Sequence, residues 1–137
     1  MRRYLLDTNV ISELRKARPH GAVVAWLQTL SAEQIFISAV SMGEFQTAVE
    51  LTRKQDPEKA REIERWIASV EGSFEFIPMD QTCFRECSRL MFGRPETLRE
   101  DAMIAATARV HRLTVATRDE KDFRHLGVEI VNPFKSN

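Results

Sequence analysis

The chain has 137 residues, of which 43% are hydrophobic and 29% are charged, and this is typical of one globular domain spanning residues 1–137. Lys plus Arg and Asp plus Glu both number 20, so the formal net charge is zero and the overall field does not favour polyanions. A nucleic-acid site would have to come from local charge.

Strand-like and helix-like segments alternate along the chain. In chain order the patterns predict strand 3–6, helix 9–16, helix 21–30, strand 35–38, helix 39–54, a helix capped by Asp56, strand 74–77, a helix beginning at Asp80, helix 97–112, strand 113–117 and strand 128–131. Such alternation is typical of a parallel sheet that helices cover on both faces. The sequence therefore predicts an α/β fold.

The two cysteines lie one helical turn apart in the helix that begins at Asp80. Cys83 and Cys87 are too few for a disulfide framework, and we interpret them as small core residues in a reducing compartment. The same helix is predicted to place Phe84, Cys87 and Met91 inward. The first residues do not resemble a signal peptide and no stretch of about 18 apolar residues occurs, so we expect a cytoplasmic protein with no membrane contact.

Four carboxylates fall near one edge of the predicted sheet. They are Asp7, Glu44, Asp101 and Asp119. Asp7 and Asp119 each follow a predicted strand, and Glu44 lies in the first turns of the helix after strand 35–38. Because parallel sheets bind ligands beyond the carboxyl ends of their strands, these positions are candidates for a functional site.

The first two acids also have structural interpretations. Asp7 is a suitable cap for the helix that follows it, although Thr8 and Asn9 could serve as caps as well. Glu44 could complete a capping box with Ser41. Neither position is diagnostic of function by itself.

The other two acids are distinguished by their surroundings. Thr97 and Glu100 have the spacing of a capping box, and a helix starting there leaves Asp101 one residue too deep to be a cap. An acid that enters so apolar a helix needs a reason. Asp119 could be a turn residue after a strand, and Asp122 competes with it as the fourth acid of the site.

Carboxylates gathered at one edge repel each other, and a divalent cation removes that conflict. A set of oxygen ligands favours Mg²⁺, with Mn²⁺ as an alternative. The histidines lack the spacing of a zinc site; they are His20, His111 and His125. Gly-rich phosphate loops of the GxxxxGK[ST] or GxGxxG type are absent from the sequence.

The sequence resembles the PIN-domain family, in its bacterial branch of VapC-like and FitB-like toxins. The stretches that carry the resemblance are "LLDTNVISEL", "ISAVSMGEF", "EDAMIAATA" and "LTVATRDEKDF", with "VNPF" near the end. The resemblance implies a three-layer α/β/α sandwich around a mainly parallel sheet. It also implies a metal-dependent endoribonuclease that is the toxin of a type II toxin–antitoxin pair.

In this family the acidic set maps onto the same four carboxylates. The resemblance implies that Asp7, Asp101 and Asp119 hold Mg²⁺, that Glu44 holds a second ion or the attacking water, and that metal-activated water hydrolyses the RNA. Residues that could orient these groups are Thr8, Asn9 and Thr117. The implied partners are an RNA substrate, a small antitoxin and a second copy of the chain.

Several basic residues lie in or near loops predicted to flank the acids, and they are candidate phosphate contacts. They are Arg15, Lys16, Arg18, Arg94, Arg99, Arg118, Lys121 and Arg124. Other interpretations remain at this stage: a catalytically silent PIN scaffold that binds RNA or protein, and a phosphoacceptor signalling domain. A haloacid-dehalogenase-type phosphatase is disfavoured because Asn9 occupies the second position of its DxD motif.

Overall fold

A sheet of five short parallel strands forms the centre of the computed structural model, which describes residues 1–135; residues 136 and 137 of the predicted single domain lie outside the described part. The strands are β1 (Tyr4–Leu6), β2 (Ile35–Ser38), β3 (Glu75–Ile77), β4 (Thr114–Ala116) and β5 (Ile130–Val131). The helices of the described residues are α1 (Thr8–Glu13), α2 (Gly21–Gln28), α3 (Ala39–Arg53), α4 (Pro57–Ser73), α5 (Gln81–Met91), α6 (Arg99–His111) and α7 (Glu120–His125).

The two faces of the sheet are covered by different sets of helices. Successive side chains of a strand point to opposite faces, so Leu5 packs with α5, α6 and α7 while Leu6 packs with α1 to α4. Both leucines are fully buried. The predicted three-layer α/β/α sandwich is confirmed. Because helices cover both faces of this parallel sheet, its strands are apolar on both faces.

The strand order decides where a ligand can bind. The order is β3-β2-β1-β4-β5, so the chain moves outward from β1 to β3 on one side and then returns to place β4 on the other side of β1. Open α/β sheets bind ligands at the carboxyl edge where the order reverses. Here that point lies between β1 and β4, which are paired through Leu6 and Ala116.

This order also bears on the signalling alternative. Receiver domains of the phosphoacceptor type have the strand order 2-1-3-4-5, which differs from the order observed here. In addition, β2 ends at Ser38 and β3 is followed by Pro78, so neither strand ends in an acceptor aspartate. The structure therefore removes the phosphoacceptor interpretation.

The predicted start of α6 is wrong. Thr97 lies in a 3₁₀ turn, Glu96–Leu98, and α6 begins at Arg99 without a side-chain cap. The tight turn is closed by the Leu98 N–H donating to the Pro95 carbonyl at 3.1 Å, and this bond replaces the capping box expected between Thr97 and Glu100. Asp101 consequently lies in the first turn of α6.

Two further predictions about helices need correction. Phe84 is 51% exposed, and the buried face of α5 is formed by Cys83, Cys87 and Met91, which recur every four residues. Both cysteines are free and buried, as predicted. The sequence patterns do not predict α7; its N-cap is Asp119, whose structural alternative in the sequence interpretation is a turn residue.

No helix within residues 1–135 is long and apolar enough to cross a membrane. The apolar residues of the helices instead form the two core layers on either side of the sheet.

Candidate metal centre

Asp7 is the buried anchor of the acidic site. It directly follows β1 and is only 5% exposed. Its Oδ1 accepts the Thr8 N–H at 2.8 Å, which makes it the N-cap of α1, and its Oδ2 accepts the Thr117 hydroxyl at 2.8 Å and the Asn9 side-chain amide at 3.1 Å. The capping interpretation of Asp7 is therefore correct, and Thr8 and Asn9 are not the caps. These donors hold the carboxylate in one orientation.

Three more aspartates meet beside Asp7. Asp101, Asp119 and Asp122 each place a carboxylate oxygen within 4.8 Å of those of the other two. Asp119 is held by two backbone contacts: its N–H donates to Thr117 Oγ1 at 2.9 Å, and its Oδ1 accepts the Asp122 N–H at 3.5 Å. Because Asp119 caps α7, Asp122 comes one turn later and points the same way, so the site contains both residues that the sequence left as competitors.

Glu44 approaches from α3, on the other side of Asp7. Its Oε1 accepts the Thr8 hydroxyl at 2.8 Å, and Ser41 Oγ lies 2.8 Å from the same hydroxyl oxygen. Since the single proton of Thr8 goes to Glu44, Ser41 must donate to Thr8. Ser38, not Ser41, caps α3, so the capping box considered for Glu44 is absent. The Glu44 carboxylate is oriented by Thr8 at the start of α1.

The pKa values of the four predicted acids are all displaced upward. Burial, followed by repulsion from Asp7 and Asp119, raises the pKa of Asp101 to about 7. Burial is also the main cause of the raised pKa of Asp7, which its hydrogen bonds partly oppose. The pKa of Glu44 is raised by burial and then by Glu100 and Asp7, and that of Asp119 by burial and then by Asp122. The protein thus concentrates negative charge where it is poorly solvated.

These residues fit a hard divalent cation. The clustered ligand atoms are carboxylate oxygens, which Mg²⁺ and Mn²⁺ prefer. A bound cation would neutralise the repulsion that raises these pKa values. The donor set is accordingly suited to a divalent metal and contains neither the sulfur nor the imidazole ligands of a structural zinc site.

Comparison with known proteins assigns the chain to a family. The family model described as "PIN domain" matches residues 4–129. The chain belongs to the PIN-domain family. It is 33% identical to the VapC ribonuclease Y4jK of Sinorhizobium fredii over 96% of this chain and 97% of that protein, and 35% identical to the toxin FitB of Neisseria gonorrhoeae over 95% and 97%.

Solved structures agree with the placement in the toxin branch of PIN domains. The FitAB complex bound to a DNA fragment superposes with a TM-score of 0.84 at 33% identity, covering 98% of this chain and 97% of that chain. The FitAcB crystal structure from Neisseria gonorrhoeae gives 0.81 at 34% identity, covering 96% and 98%. The predicted resemblance to VapC-like and FitB-like PIN domains is confirmed.

The PIN domain brings the predicted acids together, and it adds two that lie outside the predicted set of four. Asp122 competes with Asp119 for one place in the sequence interpretation, yet both residues join Asp101. Glu100 is there assigned to a capping box, yet it is close enough to Glu44 to raise the pKa of that residue. A prediction of α7 would have revealed Asp122, because residues three apart on a helix share a face.

The basic residues predicted to contact phosphate are all exposed. Some are engaged by the PIN domain itself: Lys16 pairs with Glu13, Arg99 with Glu96, Arg124 with Glu120, and Arg94 donates to the His125 carbonyl. The pair of Arg99 with Glu96 is exposed at both ends and contributes little stability, so Arg99 remains available to a ligand.

Thr117 joins two acids of the PIN domain through one hydroxyl. It is fully buried, donates to Asp7 and accepts from the Asp119 N–H. We expect Thr117→Val to lower the free energy of unfolding by about 1–3 kcal/mol, because Asp7 loses a buried hydrogen bond and the Asp119 N–H loses a partly buried one. Urea denaturation in EDTA measures this loss.

The matched control for this substitution is Thr114→Val, which changes a buried threonine at the opposite end of β4, away from the acids. A Thr117→Val protein that is no less stable than the Thr114→Val protein would contradict the role given to this hydroxyl.

Proposed function

We propose that this PIN domain, comprising the whole chain 1–137, is a metal-dependent endoribonuclease and the toxin of a toxin–antitoxin pair. The observation that carries the proposal is the convergence of Asp7, Asp101 and Asp119 at the switch point between β1 and β4. Family membership supports the same conclusion, because curated relatives of similar length are named VapC ribonuclease and toxin FitB.

The acids would hold Mg²⁺ or Mn²⁺, with Asp7, Asp101 and Asp119 as the principal ligands and Glu44 and Asp122 at either side. When bound, such an ion lowers the pKa of water and stabilises charge on phosphodiester oxygens. The protein supplies the orientation of the ligands. Their immediate supports, Thr8, Asn9 and Thr117, donate the hydrogen bonds that aim Asp7 and Glu44.

The expected partners follow from the same proposal. The substrate is RNA, cleaved most readily in single-stranded regions whose backbone can reach the acidic cluster. A small antitoxin would hold the toxin inactive; structural neighbours of this chain include the FitAcB complex and a toxin–antitoxin complex from Klebsiella pneumoniae. We also propose that the protein is a homodimer and acts in the cytoplasm.

The test is cleavage of a mixed RNA pool by the purified, antitoxin-free protein. Reactions contain Mg²⁺, Mn²⁺ or EDTA, and cut sites are mapped by sequencing the new ends. We expect cleavage with either metal and a loss of at least about a hundredfold in EDTA, because the chain itself supplies only carboxylates and their supports at the cleft. Excess Mg²⁺ added after EDTA should restore the rate.

Two results would count against the proposal. Folded protein that binds RNA and cleaves nothing with any metal would favour the catalytically silent PIN scaffold. Cleavage that persists in EDTA would exclude the carboxylate site as its source, because the charged groups of this site are carboxylates, which need a bound metal to act on RNA.

A further inference from the structure

An exposed arginine is stacked beside the acidic cluster. Arg118 directly precedes Asp119, and its guanidinium carbon lies 3.8 Å from the ring centroid of Phe134. Its backbone N–H donates to Asn9 Oδ1 at 3.2 Å, and the Asn9 amide in turn donates to Asp7 Oδ2. The backbone of Arg118 is therefore tied to the acids, while its side chain is held by the C-terminal turn.

The turn that carries the aromatic ring is itself well anchored. The Phe134 ring packs edge-on against the His20 ring, with centroids 5.3 Å apart, and the Phe134 N–H donates to Asn132 Oδ1 at 2.9 Å. Asn132 donates from Nδ2 to Glu120 at 2.9 Å. A guanidinium fixed on such a platform loses less conformational entropy on binding a ligand than a free arginine does.

The guanidinium of Arg118 has unused donors in the part of the chain that the structure describes. Among the hydrogen bonds of residues 1–135, none is donated by its guanidinium. The nearby acid, Glu13, is already occupied: it accepts the His20 N–H at 2.8 Å and pairs with Lys16 at 2.9 Å. The donors of Arg118 are thus free for an anion.

Charge is distributed unequally on the two sides of the acidic cluster. The loop between α1 and α2 lies on the side of Arg118, because His20 at its end packs on Phe134; the loop carries Arg15, Lys16 and Arg18, of which Lys16 pairs with Glu13. The opposite side, on α3 and α6, carries Glu44 and Glu100. A polyanion is therefore attracted to the α1–α2 side and repelled from the other.

We propose that Arg118, held on Phe134, binds a phosphate of the RNA strand on the α1–α2 side of the acidic cluster, next to the bond that is cleaved. The inference rests on the proposed function and adds the direction from which the strand enters. The planar guanidinium is suited to bidentate hydrogen bonding with phosphate oxygens. Arg118 is a binding residue here and takes no part in the chemical step.

The test compares Arg118→Ala, Arg118→Lys and Phe134→Leu with Arg65→Ala, which removes an exposed arginine of α4 outside the cleft. Steady-state cleavage of an RNA oligonucleotide cut by the wild type gives KM and kcat over a series of salt concentrations. We expect Arg118→Ala to raise KM about tenfold with little change in kcat, and to reduce the salt slope of log(kcat/KM) by about 0.7, the value for one phosphate contact on a single strand.

The two other variants separate charge from placement. Arg118→Lys keeps the charge but cannot stack on Phe134 or make the bidentate contact with phosphate. Its KM should therefore lie between those of the wild type and Arg118→Ala. Phe134→Leu keeps Arg118 but removes its platform, so KM should also rise. Thermal denaturation establishes that each variant is folded.

Three outcomes would overturn the inference. The first is a KM for Arg118→Ala equal to that of Arg65→Ala. The second is a fall in kcat at unchanged KM, which would mean that the substitution acts through Asp119. If the wild type cleaves no RNA, the proposed function fails separately, and anisotropy of a fluorescent RNA decides the inference: equal binding by the Arg118→Ala and Arg65→Ala proteins would be the third.

Discussion

Replacing Asp7 by Asn is expected to lower RNA cleavage by about a thousandfold or more, because a neutral amide cannot replace the carboxylate most deeply placed among the ligands. The same change should leave the fold intact. The carbonyl oxygen of the new side-chain amide can still accept the Thr8 N–H, and its NH₂ group can donate to Thr117 Oγ1, while the partly buried Asn9 amide loses its acceptor. Cleavage rates at saturating Mg²⁺, with thermal denaturation of the same sample, measure both effects.

Stability gives this prediction a second readout. Burial raises the pKa of Asp7, so the ionised side chain is unfavourable in the metal-free fold and Asp7→Asn should be at least as stable as the wild type at pH 8 in EDTA. The matched control is Asp56→Asn, at the exposed N-cap of α4, where Asn caps as well as Asp. Full cleavage by an Asp7→Asn preparation shown to be free of other ribonucleases would exclude Asp7 as a ligand.

The second large effect is the dependence of the protein's stability on pH and on bound metal. The pKa of Asp101 is about 7 in the native protein, against an ordinary value of 3.8, so the native state holds this proton over a pH range in which the unfolded chain releases it. Stability of the metal-free protein must then fall as pH rises from about 4 to 7 and stay low above it. With allowance for solvent screening of a half-buried group, we expect a loss of about 1–2 kcal/mol between pH 5 and pH 8.

Asp101→Asn should flatten this dependence, since it removes the titrating group and relieves the repulsion on its neighbours. Saturating Mg²⁺ should reverse the slope in the wild type, because the metal binds the deprotonated carboxylates of the native state. Urea denaturation between pH 5 and pH 8, with and without Mg²⁺, measures both.

Asp80→Asn is the control for the pH series. The pKa of Asp80 is lowered by the hydrogen bond from the Cys83 N–H, so its contribution to stability changes only below pH 4 and the slope between pH 5 and pH 8 should persist. A wild-type slope that Asp101→Asn does not alter would show that Asp101 is not the group responsible.

The acidic site is unfavourable for the stability of the fold when no metal is bound. Carboxylates at the end of buried strands, with raised pKa values and repelling neighbours, lower the stability of the metal-free protein. Hydrogen bonds from Thr8, Asn9 and Thr117 offset part of that cost for Asp7 and Glu44. Such a concentration of poorly solvated acids is more readily explained by ligand binding than by folding.

The fold class, and the edge of the sheet at which the acids lie, could be predicted from the amino-acid sequence. Strand and helix periodicities are local, and the carboxyl ends of parallel strands share one edge whatever their order. Asp7 and Asp119 could therefore be placed at that edge from their positions after two strands. The caps at Asp56 and Asp80 were predictable for the same reason, since capping depends on neighbouring residues alone.

Which of these groups come into contact depends on the packing of distant segments. The strand order puts β1 beside β4, and α7 turns Asp122 toward Asp101; neither follows from local pattern, because both depend on how distant segments pack. The same holds for Arg118 on Phe134, a contact between a strand-end loop and the C-terminal turn. Local propensities specify the elements, whereas burial of the two apolar faces of the sheet sets their mutual positions and thereby the geometry of the site.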